Sequence, residues 1–211
     1  MPLKIDIFVT EPLETNTYLL RFASESWVID PGMGLAELIE MVRRGGPPLT
    51  RILITHGHGD HIAGIDELKA AFPAARVSCS VADAPMLMDA GLNLSEPFGM
   101  RVVAPPPDEL IECGGILMAD GMGWEVLDTS GHSPGGVSYY CSLAGAVFTG
   151  DALFAGSIGR TDIPGGSITT LLGNIQKNLL SLPDATRVFP GHGPSTSIGQ
   201  ERHSNPYLGN T

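Results

Sequence analysis

The chain has 211 residues, of which 43% are hydrophobic and 17% are charged, and its formal net charge is −11. This composition is typical of a globular protein with a substantial core, and the negative charge argues against a nucleic-acid backbone or an anionic membrane surface as a partner. No apolar stretch approaches the length of a membrane span and the amino terminus lacks a signal pattern, so we expect a cytoplasmic protein. Cys79, Cys113 and Cys141 are odd in number and widely spaced, which predicts neither a disulfide framework nor a CxxC site.

The first seventy residues predict strands followed by alternating strands and helices. Residues 3–9, 17–22 and 26–29 are rich in apolar and β-branched residues, and they predict a strand meander that ends at the turn Asp30-Pro31-Gly32. A helix over 35–43 and a buried strand over 51–54 follow. Apolar residues at 62, 65, 68 and 72 then recur at near-helical spacing, which predicts an amphipathic helix over 62–72.

Between that strand and that helix lie the seven residues 55–61, Thr-His-Gly-His-Gly-Asp-His. Three imidazoles and one carboxylate within six positions are difficult to explain as packing or as a solvated surface, but they are the nitrogen and oxygen ligands that zinc, iron and manganese accept. Glycine spacers allow the backbone to fold tightly enough for these side chains to converge. The sequence therefore predicts a strand-to-helix turn with four metal ligands: His56, His58, Asp60 and His61.

The second half of the chain repeats one arrangement three times, in which an apolar strand runs into a glycine and then into a candidate ligand. Strands are predicted over 77–81, 124–128, 137–141, 146–149 and 187–189, with helices over 84–90 and 167–181. His132, Asp151 and His192 each follow the end of a strand, where rigid scaffolds commonly carry their chemistry. Singly, Asp151 has an alternative role as a helix cap and His132 as a core residue. Their recurrence after the four-ligand cluster predicts one metal site, on sheets that helices cover.

Together these residues resemble the HxHxDH…H…D…H signature of the metallo-β-lactamase superfamily, in order and over nearly the whole chain. The resemblance implies an α/β fold, a four-layer αβ/βα sandwich with the metal site at one edge between two sheets. By motif position it also assigns the ligands: His56, His58 and His132 to one metal; Asp60, His61 and His192 to a second; and Asp151 to both.

This ligand set also makes chemical sense on its own. Two metals a few ångströms apart can share a hydroxide whose pKa is lowered, while one of them polarises a substrate carbonyl. Asp60 is expected to help orient that hydroxide, which makes it the candidate catalytic residue. We expect two divalent ions, zinc first, with iron or manganese as alternatives because histidine and carboxylate ligands suit all three metals.

Further stretches resemble the hydroxyacylglutathione hydrolases, known as glyoxalase II. The matching stretches are residues 128–136 (DTSGHSPGG), 148–154 (FTGDALF) and 189–193 (FPGHG); residues 156–167 and Asn205-Pro206-Tyr207-Leu208 are closer to a short, single-domain branch of that group. We therefore predict one domain over residues 1–211 that hydrolyses hydroxyacyl thioesters such as S-D-lactoylglutathione. Its partner would be that small molecule and no nucleic acid or membrane; the sequence does not address the oligomeric state.

Three departures from full-length glyoxalase II affect substrate binding. The helical domain that supplies basic residues to glutathione is expected to be missing, and the tyrosine after the last ligand is replaced by Gly193-Pro194. Arg160 stands where those enzymes carry a lysine. Because a guanidinium suits carboxylate recognition, Arg160 is a candidate substrate contact, with a surface ion pair as an equally weighted alternative.

Other functions fit parts of the same pattern. Persulfide dioxygenases share the ligand order and a stretch like Gly159-Arg160-Thr161-Asp162, but they use a single iron held by two histidines and an aspartate. A lactonase or β-lactamase is a weaker alternative, and a non-enzymatic binding module is weaker still. Oxygen uptake against thiol release distinguishes the first alternative from thioester hydrolysis.

Overall fold

A computed structural model describes residues 3–209 of the chain. Its strands are β1 (Lys4–Thr10), β2 (Thr15–Arg21), β3 (Ser26–Ile29), β4 (Leu49–Leu53), β5 (Arg76–Ser80), β6 (Glu109–Ile111), β7 (Ile116–Ala119), β8 (Met122–Asp128), β9 (Val137–Cys141), β10 (Ala146–Gly150), β11 (Leu153–Phe154), β12 (Ser157–Ile158), β13 (Arg187–Pro190) and β14 (Thr196–Ser197). Its helices are α1 (Ala36–Arg43), α2 (Gly59–Ile62), α3 (Ile65–Ala71), α4 (Ala84–Leu87), α5 (Ile168–Asn174, continued as a π-helical turn over Ile175–Leu179) and α6 (Ile198–Ser204), with a 3₁₀ turn at Glu96–Phe98.

The strands form two six-stranded mixed sheets and one short hairpin. The first sheet has the order β1-β2-β3-β4-β5-β6, antiparallel from β1 to β3 and parallel from β3 to β6. The second sheet has the order β14-β13-β10-β9-β8-β7, in which only β10 and β13 pair in parallel. Strands β11 and β12 pair with each other in the hairpin. The amino-terminal half of the chain thus builds one sheet and the carboxy-terminal half the other.

Three buried clusters arrange these elements in four layers. The central cluster lies between the sheets and contains Trp27 of the first sheet and Trp124 of the second, whose ring centroids are 6.3 Å apart. A second cluster packs α1 and α3 on the outer face of the first sheet, and a third packs α5 and α6 on the outer face of the second. Burying both faces of each sheet explains why most of their strands are apolar throughout. The predicted α/β four-layer sandwich is confirmed.

The predicted helix over 62–72 corresponds to α3 (Ile65–Ala71), and it is separated from α2, which ends at Ile62. The break falls at Gly64, whose backbone N–H donates to the carbonyl of Pro31 at 2.8 Å. A Cβ at Gly64 would lie 2.2 Å from the carbonyl oxygen of Gly32, so only glycine permits this approach. The contact holds the turn after β3 against α2, which carries two of the candidate ligands.

Hydrogen bonds between the sheets fix the edge at which the ligand-bearing loops meet. Val137 donates its N–H to the carbonyl of Thr55 at 2.8 Å, and the hydroxyl of Tyr139 donates to the carbonyl of Ile54 at 2.7 Å. At the other side, Asn16 donates its N–H to the carbonyl of Gly191 at 2.7 Å. Over residues 3–209, no helix combines the length and apolar character needed to cross a membrane.

Candidate metal centre

All seven predicted metal ligands lie together at this edge. Two are in the loop after β4 and two are in the first turn of α2, while the other three follow β8, β10 and β13. The first three imidazoles, those of His56, His58 and His132, have ligand atoms within 4.8 Å of one another, and so do the ligand atoms of Asp60, His61 and His192. Two groups of three therefore form from residues up to 132 positions apart in the chain.

Asp151 lies between the two groups. One of its carboxylate oxygens is 3.3 Å from Nε2 of His61, and the other is 3.6 Å from Nε2 of both His132 and His192. Its position follows from the turn after β10, where Gly191 donates its N–H to the carbonyl of Gly150 at 2.8 Å. A carboxylate so placed can serve a metal ion in either group.

Hydrogen bonds at Nδ1 orient four of the imidazoles so that Nε2 faces the candidate metal centre. Nδ1 of His61 lies 2.9 Å from the carboxylate of Asp30, and Nδ1 of His132 lies 2.8 Å from the carbonyl oxygen of Arg160. Nδ1 of His192 lies 3.3 Å from the carbonyl oxygen of Glu14. Because these oxygens only accept, each Nδ1 carries a hydrogen, and Nε2 is the nitrogen that is left to face a metal ion.

His56 obeys the same rule through a hydroxyl. Thr55 donates its Oγ1–H to Asp30 at 2.6 Å, so the same oxygen accepts from Nδ1 of His56 at 3.1 Å. Nε2 of His56 is then a lone-pair atom, and it is buried without a hydrogen-bond partner among residues 3–209. Oδ1 of Asp151 is buried and unpaired in the same sense. Buried polar atoms without partners are costly, and a bound cation removes that cost.

The spacing of the ligand atoms fits a divalent metal. Nδ1 of His58 is 2.9 Å from Nε2 of His132, and Nε2 of His192 is 3.2 Å from the carboxylate of Asp60 and 3.3 Å from Nε2 of His61. Ligands about 2.0–2.1 Å from a tetrahedral zinc lie roughly 3.3 Å from one another. The residues present therefore fit two metal ions that share Asp151.

The two groups differ in electrostatics. Burial, followed by the charge of His132, lowers the pKa of His58 to about 4, and burial also holds the pKa of His56 well below its usual range. Burial alone would lower the pKa of His61, but three surrounding carboxylates outweigh it and hold that pKa well above its usual range. His192 shows the same balance in weaker form, because its contact with Asp60 raises its pKa against burial.

The carboxylates of the second group respond in the opposite direction. Burial would raise the pKa of Asp60, but the charges and hydrogen bonds of His61 and His192 lower it. The pKa of Asp151 is likewise lowered, mainly by His61, in spite of its burial. The carboxylates that stabilise a proton on His61 would equally stabilise a bound metal ion. This second group therefore attracts cations by charge.

Asp30 is a functional residue that the sequence reasoning did not assign. Its carboxylate accepts from the N–H of Thr55 at 2.7 Å as well as from the Thr55 hydroxyl and from His61, so it orients one imidazole in each ligand group. Its backbone has a φ of +50°, an unfavourable conformation that the surrounding hydrogen bonds maintain. A signal was present in the sequence, because Asp30 directly follows β3 as Asp151 directly follows β10.

A second unassigned carboxylate, Asp83, joins two ligand-bearing loops. It accepts from the N–H of Gly57 at 3.0 Å, from the hydroxyl of Ser133 at 2.6 Å and from the N–H of Gly135 at 2.6 Å. Asp83 is fully buried, and burial raises its pKa against these three hydrogen bonds. Asp83 therefore fixes the loop that carries His56 and His58 relative to the loop that carries His132.

The second metal group has its own supports, which no sequence pattern indicated. Thr15 donates its hydroxyl to the carboxylate of Asp60 at 2.8 Å. Asn16 donates its side-chain amide to the carbonyls of Pro190 at 3.0 Å and Gly193 at 2.8 Å, which holds the loop of His192. Both side chains come from the start of β2, and their role depends entirely on the contact between the two sheets.

Close packing against the backbone also requires the two glycines of the motif. Neither has a positive φ. Instead, a Cβ at Gly57 would lie 2.6 Å from Cβ of Met86, and a Cβ at Gly59 would lie 2.8 Å from Cβ of Ser95. These positions are glycine because neighbouring segments pack directly on the backbone.

A cleft of about 250 Å³ opens above the centre. Asp60, Asp151 and three of the histidines line it, and Arg160 lies at its rim. The guanidinium of Arg160 forms two hydrogen bonds with Asp162, at 2.8 and 3.0 Å, and both side chains are largely exposed. Arg160 thus makes the surface ion pair that was its alternative role, while its role as a substrate contact stays a prediction.

Comparison with known proteins agrees with this geometry. Residues 10–192 match the family model of the metallo-beta-lactamase superfamily. The chain is 40% identical to "Probable metallo-hydrolase YqgX" of Bacillus subtilis, over 93% of each chain. It is 37% identical to "Hydroxyacylglutathione hydrolase GloC" of Haemophilus influenzae, over 86% of each chain.

Solved structures give the same result. The "BLEG-1 B3 metallo-beta-lactamase" superimposes with a TM-score of 0.92 at 38% identity, covering 97% of this chain and 99% of that one. "TTHA1623 in a di-iron-bound form" gives 0.87 at 36% identity, with 96% and 100% covered, and "ETHE1 from Myxococcus xanthus" gives 0.77 at 28%, with 96% and 83% covered. Fold, ligand geometry and similarity over almost the whole chain agree: this protein is a member of the metallo-β-lactamase superfamily.

Proposed function

We propose that this metallo-hydrolase cleaves hydroxyacyl thioesters, with S-D-lactoylglutathione as its reference substrate. The observation that carries the proposal is the cluster of candidate ligands beside an open cleft: hydrogen bonds at Nδ1 of four imidazoles leave Nε2 for a metal ion, and Asp60, Asp151 and three of the histidines line the cleft. Such a site would place bound cations where a substrate in the cleft can contact them. The name of the relative GloC, at 37% identity, supports the choice of thioester.

Each group of residues has a part in this chemistry. Bound here, metal ions would lower the pKa of water and polarise the thioester carbonyl. Asp60, whose lowered pKa keeps it ionised and which lines the cleft, accepts a hydrogen bond from the attacking water and so orients it. Thr15 holds that carboxylate in place by donating to it. Asp30, through Thr55 and His61, fixes the imidazoles that would hold the metals.

The number and identity of the metals belong to the same proposal. We propose two ions, because Asp151 contacts both ligand groups, and zinc as the first expectation. The di-iron-bound form named for the relative TTHA1623 supports a binuclear site and also supports iron as an alternative. Elemental analysis of the purified protein, before and after chelation and reloading, measures both quantities.

A β-lactamase is the second candidate, because the structure named BLEG-1 B3 metallo-beta-lactamase shares 38% identity and nearly the full chain. A mononuclear persulfide dioxygenase remains a third, from the resemblance of Gly159-Arg160-Thr161-Asp162 to that group. The three candidates differ in what they consume and release. Only hydrolysis of a thioester frees a thiol without oxygen uptake.

One experiment separates the candidates. Metal-loaded protein is assayed with S-D-lactoylglutathione for thiol release, with glutathione persulfide for oxygen uptake and with a chromogenic cephalosporin for ring opening. We expect thiol release with a high KM, because an acidic chain with 12 lysines and arginines faces an anionic substrate. Oxygen uptake or ring opening without thiol release from a fully loaded site would reject the proposal.

A further inference from the structure

One wall of the cleft is apolar. Five of the candidate metal ligands line the cleft, and so do the apolar side chains of Leu13, Leu94, Phe98, Met100 and Ile163, which together form its apolar wall. Phe98 is 63% exposed, although a phenyl ring gains strongly from burial. Clustered apolar side chains that rim a site of chemistry indicate a ligand with an apolar part.

The segment that carries Leu94, Phe98 and Met100 of this wall is tied to the metal centre. Asn93 accepts at its carbonyl from the N–H of Gly59 at 2.8 Å, one residue before Asp60. Its side-chain amide donates to the carbonyls of Met86 at 3.0 Å and Val102 at 2.9 Å. These bonds fix the start of this segment, and with it Leu94, beside the turn that carries Asp60.

Leu94 supports a functional reading of the wall. Its backbone has a φ of +63°, which is uncommon for a leucine, and the fixed neighbours on either side maintain it. Ser95, which follows it, is buried and donates its N–H to Oδ1 of Asn93 at 3.0 Å. The chain thus bears an unfavourable conformation at the point where an apolar side chain lines the cleft.

The same cleft offers little to a carboxylate. Among the described residues, one arginine and no lysine line the cleft. This arginine is Arg160, and its guanidinium is already hydrogen-bonded to Asp162. The volume of about 250 Å³ is also smaller than the roughly 300–1,000 Å³ of clefts that enclose a drug-sized ligand. The cleft thus has room for the acyl end of a thioester, with the thiol carrier extending toward solvent.

We propose that the preferred substrates are 2-hydroxyacyl thioesters whose acyl chain is longer and more apolar than lactoyl. This inference rests on the proposed function and specifies its substrate. In the reaction, a carbon–oxygen bond forms between water and the acyl carbon and the carbon–sulfur bond breaks. Of the two protons of that water, one goes to the thiol sulfur and the other is released to solvent, so the 2-hydroxy acid leaves as its carboxylate. Phe98 and Leu94 hold the hydrocarbon chain while the ligand-lined part of the cleft receives the thioester group.

Kinetics of a homologous series test the chain-length preference. Thioesters of one neutral thiol, N-acetylcysteamine, with lactoyl, 2-hydroxybutanoyl and 2-hydroxyhexanoyl groups are compared on metal-loaded protein. Complete burial of one methylene corresponds to about a fourfold gain in binding affinity. In this partly open cleft we therefore expect kcat/KM to rise about two- to fourfold per methylene. A flat or falling series would overturn the inference while thiol release still supported thioester hydrolysis.

Binding gives a second readout that does not depend on turnover. By calorimetry, 2-hydroxyhexanoate should bind the metal-loaded protein at least about eightfold more tightly than lactate, over three methylenes at twofold or more each. Equal affinities would overturn the inference. Because binding is measured directly, this comparison tests the chain-length preference even if no thioester is hydrolysed. A failure to hydrolyse any thioester would instead reject the proposed function.

Phe98→Ala assigns the preference to the apolar wall. This variant should reduce the gain per methylene in both series toward one, and its effect on lactoyl substrates should be small. Leu143→Ala is the matched control, because Leu143 is 76% exposed in the turn between β9 and β10 and does not line the cleft. An unchanged slope in Phe98→Ala, or an equal loss in both variants, would contradict the assignment.

Discussion

The two ligand groups of the centre are similar in size, but the first is largely neutral and the second carries charged groups. His56, His58 and His132 are buried imidazoles, and burial keeps at least the first two neutral. The group of Asp60, His61 and His192 is more open and holds charge, with raised pKa values on its histidines and a lowered one on its aspartate. The first group offers lone pairs that are already free, whereas a metal in the second must displace protons. The comparison shows that one carboxylate, that of Asp151, can lie between two ligand groups that differ in whether protons must leave before a metal binds.

The largest effect is expected where the two groups join, at Asp151. Asp151→Ala removes the carboxylate that contacts His61 on one side and His132 on the other, so it should lower metal occupancy in both groups. Activity should fall by more than the roughly 100-fold that loss of an outer hydrogen-bond partner costs. Elemental analysis and thiol-release kinetics measure the two losses.

Asp66→Ala, at an exposed position on α3, is the control and should change neither quantity. One metal retained at full occupancy in Asp151→Ala would show that the groups do not share this ligand and would favour a mononuclear centre.

Asp30→Asn should also affect both groups, but less. The amide keeps the size of the carboxylate and loses the charge that faces His61 and the acceptor that receives the Thr55 hydroxyl. Metal affinity should decrease about 10- to 100-fold for both ions, as is typical of an outer carboxylate. Titration with a competing chelator gives the two affinities, and loss of only one would show that Asp30 serves a single group.

Asp83→Asn should affect the first group alone. Asp83 joins the loop of His56 and His58 to the loop of His132 and contacts no residue of the second group. We expect about a tenfold weaker first metal and an unchanged second one. Asp83→Glu, which restores the charge but not the fit, should recover only part of the loss; equal weakening of both ions would mean a general loosening of the fold.

These supporting residues mark the limit of what the sequence allowed. The seven candidate ligands that the structure brings together could be selected from the sequence, because four lie within six positions and the other three follow strand ends that apolar runs reveal. Asp83 lies between β5 and α4 with no such pattern, and its partners Ser133 and Gly135 are about 50 residues away. Pairings over that distance depend on how the two sheets meet, which local periodicity does not encode.

The fold shows the same division. Strands β3 and β9 have the predicted bounds, because continuous apolar runs mark strands buried on both faces. Strand β7 was missed, although Asp120-Gly121 is a strong hairpin signal and both residues have the positive φ that such a turn requires. Strand β6 has three residues and pairs in parallel with β5, so its existence depends on the neighbouring strand.

The charge difference between the two groups can be tested by pH in metal-free protein. Because the pKa of His58 is lower in the folded chain than in the unfolded chain, the unfolded chain takes up this proton at a higher pH. His58 therefore lowers the free energy of unfolding as the pH falls below about 6.5. The raised pKa of His61 has the reverse sign: its contribution is fully present below about 6.5 and is lost as the pH rises through the folded value.

Urea unfolding of the chelated protein at pH 7.5 and 5.5 measures both effects. On acidification, the deficit of His58→Asn relative to the natural sequence should shrink by about 1 kcal/mol, and the deficit of His61→Asn should grow by a similar amount. Shifts in the same direction would contradict the charge assignment of the two groups.

The smallest effect is expected at the rim, outside both groups, at Arg160. Its guanidinium is paired with Asp162 and exposed, and an exposed ion pair contributes about 1 kcal/mol or less, which corresponds to at most about a fivefold change. Arg160→Ala should therefore raise KM for S-D-lactoylglutathione by no more than about fivefold and leave KM for the neutral N-acetylcysteamine thioester unchanged. The carbonyl of Arg160 that accepts from His132 belongs to the backbone and is retained in the variant, so kcat should hold. An equal rise in KM for both thioesters would show that Arg160 supports the loop and makes no contact with the carboxylates of the thiol carrier.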